Sequence, residues 1–139
     1  MKKIATLIRM YKFELDEKRR ALVAIEEQMQ RTMDARLNLD KELAEEQKTA
    51  AQAIELGMTY HGYSKKFIAR RQKLEQELEH LKIEVEKAEL VVQMAYQELK
   101  KYEVTAERQA AREKLEATRK EQAETDDTTI AAFERKKKS

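Results

Sequence analysis

Apolar residues recur along most of this chain at alternating intervals of three and four, the spacing of a helix that buries one narrow stripe against a partner. In the first half the stripe runs Ile4, Ile8, Tyr11, Leu15, passes the charged Lys18, and continues Leu22, Ile25, Met29. It weakens at Thr32 and Arg36, where Met33 and Leu37 offer a shifted stripe, and resumes at Leu39, Leu43, Ala50 and Ala53. The second half carries Phe67, Leu74, Leu78, Leu81, Val85, Ala88, Val92, Ala95, Leu99, Tyr102 and Ala106. Neither stripe can bury itself on an isolated helix, so the two must meet each other or another chain.

One short segment interrupts the pattern. It holds both glycines of the chain, Gly57 and Gly62. Gly57 fits the left-handed position just past a helix end. Ser64 fits an N-cap, and Tyr63 with Ile68 fits a hydrophobic staple across it. The spacing therefore predicts helix 1 over about 2–56, a loop over 57–64, helix 2 over about 65–124 and a basic C-terminal tail over 125–139. At about 1.5 Å per residue each helix would be roughly 80–90 Å long. Folding the chain about residue 60 pairs residue i with roughly 120 − i, an antiparallel coiled-coil register. Ile25 then meets Ala95, Tyr11 meets Gln109, and the second stripe fades near the level where the first runs out. Residues beyond about 117 would overhang. The expected fold is all-α, a single antiparallel two-helix coiled-coil hairpin.

Composition narrows the alternatives. The 139 residues include no Pro, Cys or Trp and only 2 Gly, too few turn formers for a sandwich, a barrel or a βαβ fold. Without cysteine there is neither a disulfide framework nor a thiolate metal site. Charged residues make up 40% of the chain and recur too often for a transmembrane run or a signal-peptide core. They nearly cancel, leaving a formal net charge of +2, so the strong basic excess that non-specific phosphate binding requires is missing. Acid–base pairs at helical spacing, such as Glu14–Lys18 and Glu116–Lys120, read as a solvated face worth only ~0.2–0.5 kcal/mol each.

Catalytic chemistry finds no purchase. Ser64 and Ser139 are the only serines, neither histidine belongs to a triad pattern, and no glycine-rich phosphate loop exists. Glu77-Leu-Glu-His80 matches the spacing of two-metal carboxylate bundles, but it occurs once and lies on the outward side of the stripe. No catalytic, cofactor or metal residue is assigned. A nucleic-acid arm is the rival of a different class, resting on Lys65, Lys66, Arg70 and Arg71 among Tyr60, Tyr63 and Phe67. The simpler reading of those aromatics is a seal on the end of the hairpin. Lys2 and Lys3 oppose a helix dipole, Arg135–Lys138 complement one, and an antiparallel hairpin would bring both basic ends to one pole.

Three segments together resemble the FliJ family, soluble stalk proteins of the bacterial flagellar type III export apparatus. They are Leu7-Ile8-Arg9-Met10-Tyr11-Lys12-Phe13 with Asp16-Glu17-Lys18-Arg19-Arg20, Tyr63-Ser64-Lys65-Lys66-Phe67-Ile68, and Arg119-Lys120-Glu121-Gln122 with Asp126-Asp127. The resemblance spans nearly the whole chain and is nearest to α-proteobacterial versions. It implies a non-enzymatic export factor without cofactors, similar in fold to the rotary ATPase γ-subunit stalk. Such a factor is cytoplasmic and peripheral to the inner face of the membrane at the flagellar base. The implied partners are the hexameric export ATPase, the cytoplasmic domain of the export-gate membrane protein, and export chaperones; no nucleic acid is implied. Mapped onto this sequence, the ATPase-ring contacts fall on Lys2, Lys3, Ile4, Ile8, Arg119 and Gln122. The gate contacts fall on Tyr63, Phe67, Arg71, Leu74 and Leu78, of which Arg71, Leu74 and Leu78 depart from the family's pattern. A non-flagellar secretion stalk is the near neighbour of this reading.

Overall fold

In the computed structural model the described residues are 2–57 and 63–138, with the side chains of Lys2, Tyr63 and Ser64 outside the description. They form two helices, α1 (Lys2–Glu55) and α2 (Tyr63–Lys138), in an all-α helical hairpin. The helices persist because nothing inside either one breaks them: the chain has no proline, and neither Lys2–Glu55 nor Tyr63–Lys138 contains a glycine. Gly57 ends α1 with φ 75°, and its N–H donates to the Ile54 carbonyl at 3.0 Å. That is one of the two bonds of a Schellman cap. The rest of the predicted loop, Met58–Gly62, lies outside the described residues, as does Ser139.

Both ends of α2 and one side-chain contact differ from expectation. Tyr63 is already helical, so Ser64 stands inside the first turn of α2 rather than at its cap. Ile68, expected to staple against Tyr63, is exposed. At the other end, α2 does not stop near 124 but continues to Lys138. Residues 125–138 hold no helix breaker, and Arg135, Lys136, Lys137 and Lys138 in the last turn complement the helix dipole. The threonines there keep their hydroxyls occupied within the helix: Thr125 donates to the Glu121 carbonyl at 2.9 Å and Thr128 to the Glu124 carbonyl at 2.8 Å.

The chain divides into two compact units, Phe13–Ala95 and Met1–Lys12 with Tyr96–Ser139. In the first, Leu15, Leu39, Ala50, Leu78 and Leu81 are buried, and Leu22, Ile25, Met29, Leu43, Phe67, Leu74, Val85, Ala88 and Val92 are half-buried. Burying one leucine of this kind contributes about 1.5–3 kcal/mol, so a thin seam of them holds the pairing. The seam does not shift to Met33 and Leu37, which are 38% and 55% exposed. It runs straight through Thr32, buried to 9%, and the half-buried Arg36. Thr32 tolerates this because its hydroxyl donates to the Gln28 carbonyl at 3.0 Å, leaving no orphaned donor.

The pairing register also differs. Arg70 reaches Glu42 at 3.5 Å and Arg71 reaches Asp40 at 3.9 Å, so residue i faces about 112 − i rather than about 120 − i. The offset is close to one heptad, and a slide of seven residues superposes one set of seam positions on the next. Periodicity alone therefore accepts both registers. The end of α1 overshoots as a consequence, leaving Ile54 and Leu56 at 66% and 78% exposure.

In the terminal unit Ile4, Leu7 and Ile8 of α1 are half-buried, as are Tyr102 and Ala106 of α2, and Leu99 is buried. Tyr11 stacks on Tyr102 with ring centroids 4.8 Å apart and planes 13° from parallel. Past Ala106 the packing ends: every residue from 107 to 138 is exposed. With Tyr11 level with Tyr102, the overhang begins near 110 instead of 117, as the slide of about one heptad requires.

Candidate partner-binding surfaces

Two surfaces emerge, one in each unit. In the 13–95 unit, Leu39, Asp40, Leu43 and Gln47 of α1 face Phe67, Ile68 and Arg71 of α2 across a groove of about 220 Å³. Its floor is aliphatic because the seam opens here, where Phe67 is only half-buried. Its rim is charged. Arg71 bridges the helices to Asp40 and also holds Glu75 of its own helix at 3.3 Å. The Arg70 guanidinium lies 6.0 Å from the Phe67 ring centroid while reaching Glu42. These pairs are about half exposed, so they orient side chains more than they stabilise the fold. An apolar slot edged by fixed charges suits an amphipathic partner element rather than a small ion.

The residues expected at this end are only partly united. Phe67 and Arg71 share the groove wall. Leu74 is half-buried one turn on. Leu78, at 4% exposure, belongs to the core and offers a partner nothing while the helices stay paired. The Tyr63 side chain is outside the described residues. Leu39, Asp40, Leu43 and Gln47 were absent from the expected set, because the sequence signal for them is the pairing register.

The second surface lies in the terminal unit. Lys3 is exposed and Ile4 and Ile8 sit half-buried on α2, while Lys2 has only its backbone described. With Tyr11 at the level of Tyr102, Ile8 falls opposite about residue 105 and Ile4 opposite about 109. Arg119 and Gln122 are exposed on the unpaired stretch, roughly 15–20 Å further along α2 at ~1.5 Å per residue. The six expected ring-contact residues therefore form two groups. Nor do the basic ends share a pole: Arg135–Lys138 stand roughly 40 Å of helix beyond the level of Lys3.

Among the described residues no group of three or more His, Asp or Glu side chains converges as a metal site would require, and Glu77 and His80 face solvent. None of the described helices is long and apolar enough to cross a membrane.

No curated protein and no solved structure matches this chain. A family model does, described as flagellar FliJ protein, over residues 1–138. The match covers both helices and both surfaces, and the family is one of non-catalytic parts of the export machinery. The chain belongs to the FliJ family and is a component of the flagellar protein export apparatus.

Proposed function

We propose that this protein is the coiled-coil stalk that couples the hexameric export ATPase to the export gate and assists delivery of substrates and their chaperones. The observation that carries the reading is the contrast between its two surfaces. A bare helix over 107–138 suits insertion into a ring, and a charged-rim groove around Phe67 and Arg71 suits a separate docking partner. An asymmetric element within a near-sixfold ring touches its subunits unequally, and unequal contact energies bias which subunits open and close. Such a protein needs no catalytic residue of its own. Its association with the inner face of the membrane runs through the gate.

The test is ATP turnover by the cognate export ATPase with the full chain and with a chain ending at residue 119. Stimulation should disappear on truncation while the remaining hairpin keeps its helical circular dichroism. Equal turnover with both chains contradicts the assigned polarity. For the groove, Phe67→Ala should weaken binding to the isolated gate domain by about tenfold, the loss of one well-packed aromatic anchor. Undiminished affinity would remove the groove from the gate contact.

A further inference from the structure

The two units favour different registers. At the level set by the Arg70–Glu42 bridge, the seam of the 13–95 unit pairs unlike layers. The buried Leu78 and Leu81 lie about level with Arg36 and Thr32, and the half-buried Glu46 lies level with Phe67. A slide of one heptad, about 10 Å at ~1.5 Å per residue, re-sorts these layers. Leu39 then comes to Leu81, Leu43 to Leu78 and Ala53 to Phe67. Thr32 meets only the small Ala88, Arg36 moves from Leu78 to the shorter Val85, and Glu46 exchanges Phe67 for Leu74. This unit is at least as apolar along its seam after the slide as before it.

The terminal unit points the other way. Its Tyr11–Tyr102 stack, at 4.8 Å between centroids, exists only in the present register. After the slide Tyr11 would face Gln109, Ile8 the level of Arg112 and Ile4 that of Glu116, all of them exposed polar residues. Each helix is continuous through residues of both units, so one register serves both and the stack decides between them. The connection allows either. Gly57 lies about 10 Å past the level of Tyr63 now and would lie level with it after the slide. Five intervening residues span a helix separation of about 8–10 Å in both cases, and neither helix has to unwind.

We infer that this hairpin has two working registers one heptad apart, and that the Tyr11–Tyr102 stack is the latch that holds the present one. Released, α1 slides along α2 toward its C-terminus. The overhang of α2 then begins near 117 rather than 110. At the same time Phe67 leaves the level of Glu46, beside Leu43 and Gln47, for that of Ala53, which remakes the groove wall. The slide therefore ties the shape of the groove to the length of bare helix. It goes beyond the stalk reading, which asks only for a stiff rod. A binder that prefers one register shifts the population by its differential affinity for the two.

The chain has no cysteine, so introduced pairs report the register without background. Ile25→Cys with Ala88→Cys is level in the present register, and Ile25→Cys with Ala95→Cys in the slid one. A disulfide needs Cα atoms within about 7 Å, less than the slide of about 10 Å, so each pair closes in its own register. Ile25→Cys with Gln97→Cys is the control, because the exposed Gln97 lies on the far side of α2 and pairs only if the helices separate. Under mild oxidation of the full chain the 25–88 pair should close first and the 25–95 pair at least ~10-fold more slowly, still ahead of the control. Adding Tyr11→Ala should speed 25–95 closure by about tenfold, the loss of one aromatic stack with its burial, and leave the control unchanged. The chain locked at 25–95 should keep its helical circular dichroism. Closure of 25–95 no faster than the control, or a control that Tyr11→Ala speeds equally, overturns the second register, as does loss of helicity on locking. Closure of 25–95 indifferent to Tyr11→Ala overturns the latch. Every arm uses the free chain, so any of these failures leaves the stalk reading standing.

Discussion

Residues 74–92 and residues 107–138 of α2 are both helical and both densely charged, yet they are held by different physics. In the first, Leu78 and Leu81 are buried against α1 and the helix is one half of a pair. In the second, no side chain is buried and the helix rests on its own backbone bonds and its threonine back-bonds. The comparison teaches that helix formation and tertiary packing are separable in this chain. Apolar content, not helical propensity, marks which stretch is structural and which is free to bind.

The contrast breaks most visibly at the core. Leu78→Ala should destabilise the hairpin by ~2–5 kcal/mol in denaturant unfolding, the range for a buried leucine truncated in a core that relaxes only partly. Leu115→Ala, the same change on the bare stretch, should stay within about 0.5 kcal/mol of wild type. Similar losses at both sites would mean the bare stretch is packed. Gly57→Ala comes next. A Cβ there meets nothing within 4 Å, so its effect is purely that of a φ of 75°, about 1–2 kcal/mol against the left-handed conformation.

Arg36→Leu tests the path of the seam in the opposite sense. Because Arg36 is half-buried among aliphatic layers, the leucine should stabilise the hairpin by ~1 kcal/mol, whereas Met33→Leu should leave it unchanged. A gain at Met33 instead would restore the shifted stripe. The smallest effect belongs to the charged rim. Arg71→Ala should change stability by less than ~1 kcal/mol, since its ion pairs to Asp40 and Glu75 are half exposed. Under the proposed function, any larger change it produces should appear in binding of the gate domain.

Read from residues alone, the two surfaces were unequally legible. Phe67 and Arg71 stand out in sequence as an aromatic and a cation at the hairpin end, and they do share a groove wall. Their α1 counterparts Asp40 and Leu43 become visible only once the register is known. Arg119 and Gln122 join Lys3 and Ile4 only through the family resemblance, and the register places them farther along the overhang of α2 than the sequence pattern suggests.

What the sequence by itself determined is local. Absence of proline, a left-handed glycine at the end of α1 and a stripe spaced by threes and fours dictate two long helices with one sticky side each, because backbone geometry and periodicity act over a few residues. Tertiary structure decided the rest. Which layer of one stripe meets which layer of the other is degenerate in steps of seven residues, so only the packed pair selects it. That selection carries the seam through Thr32 and Arg36, makes Ala106 the last part-buried residue of α2, and leaves the final stretch of that helix bare.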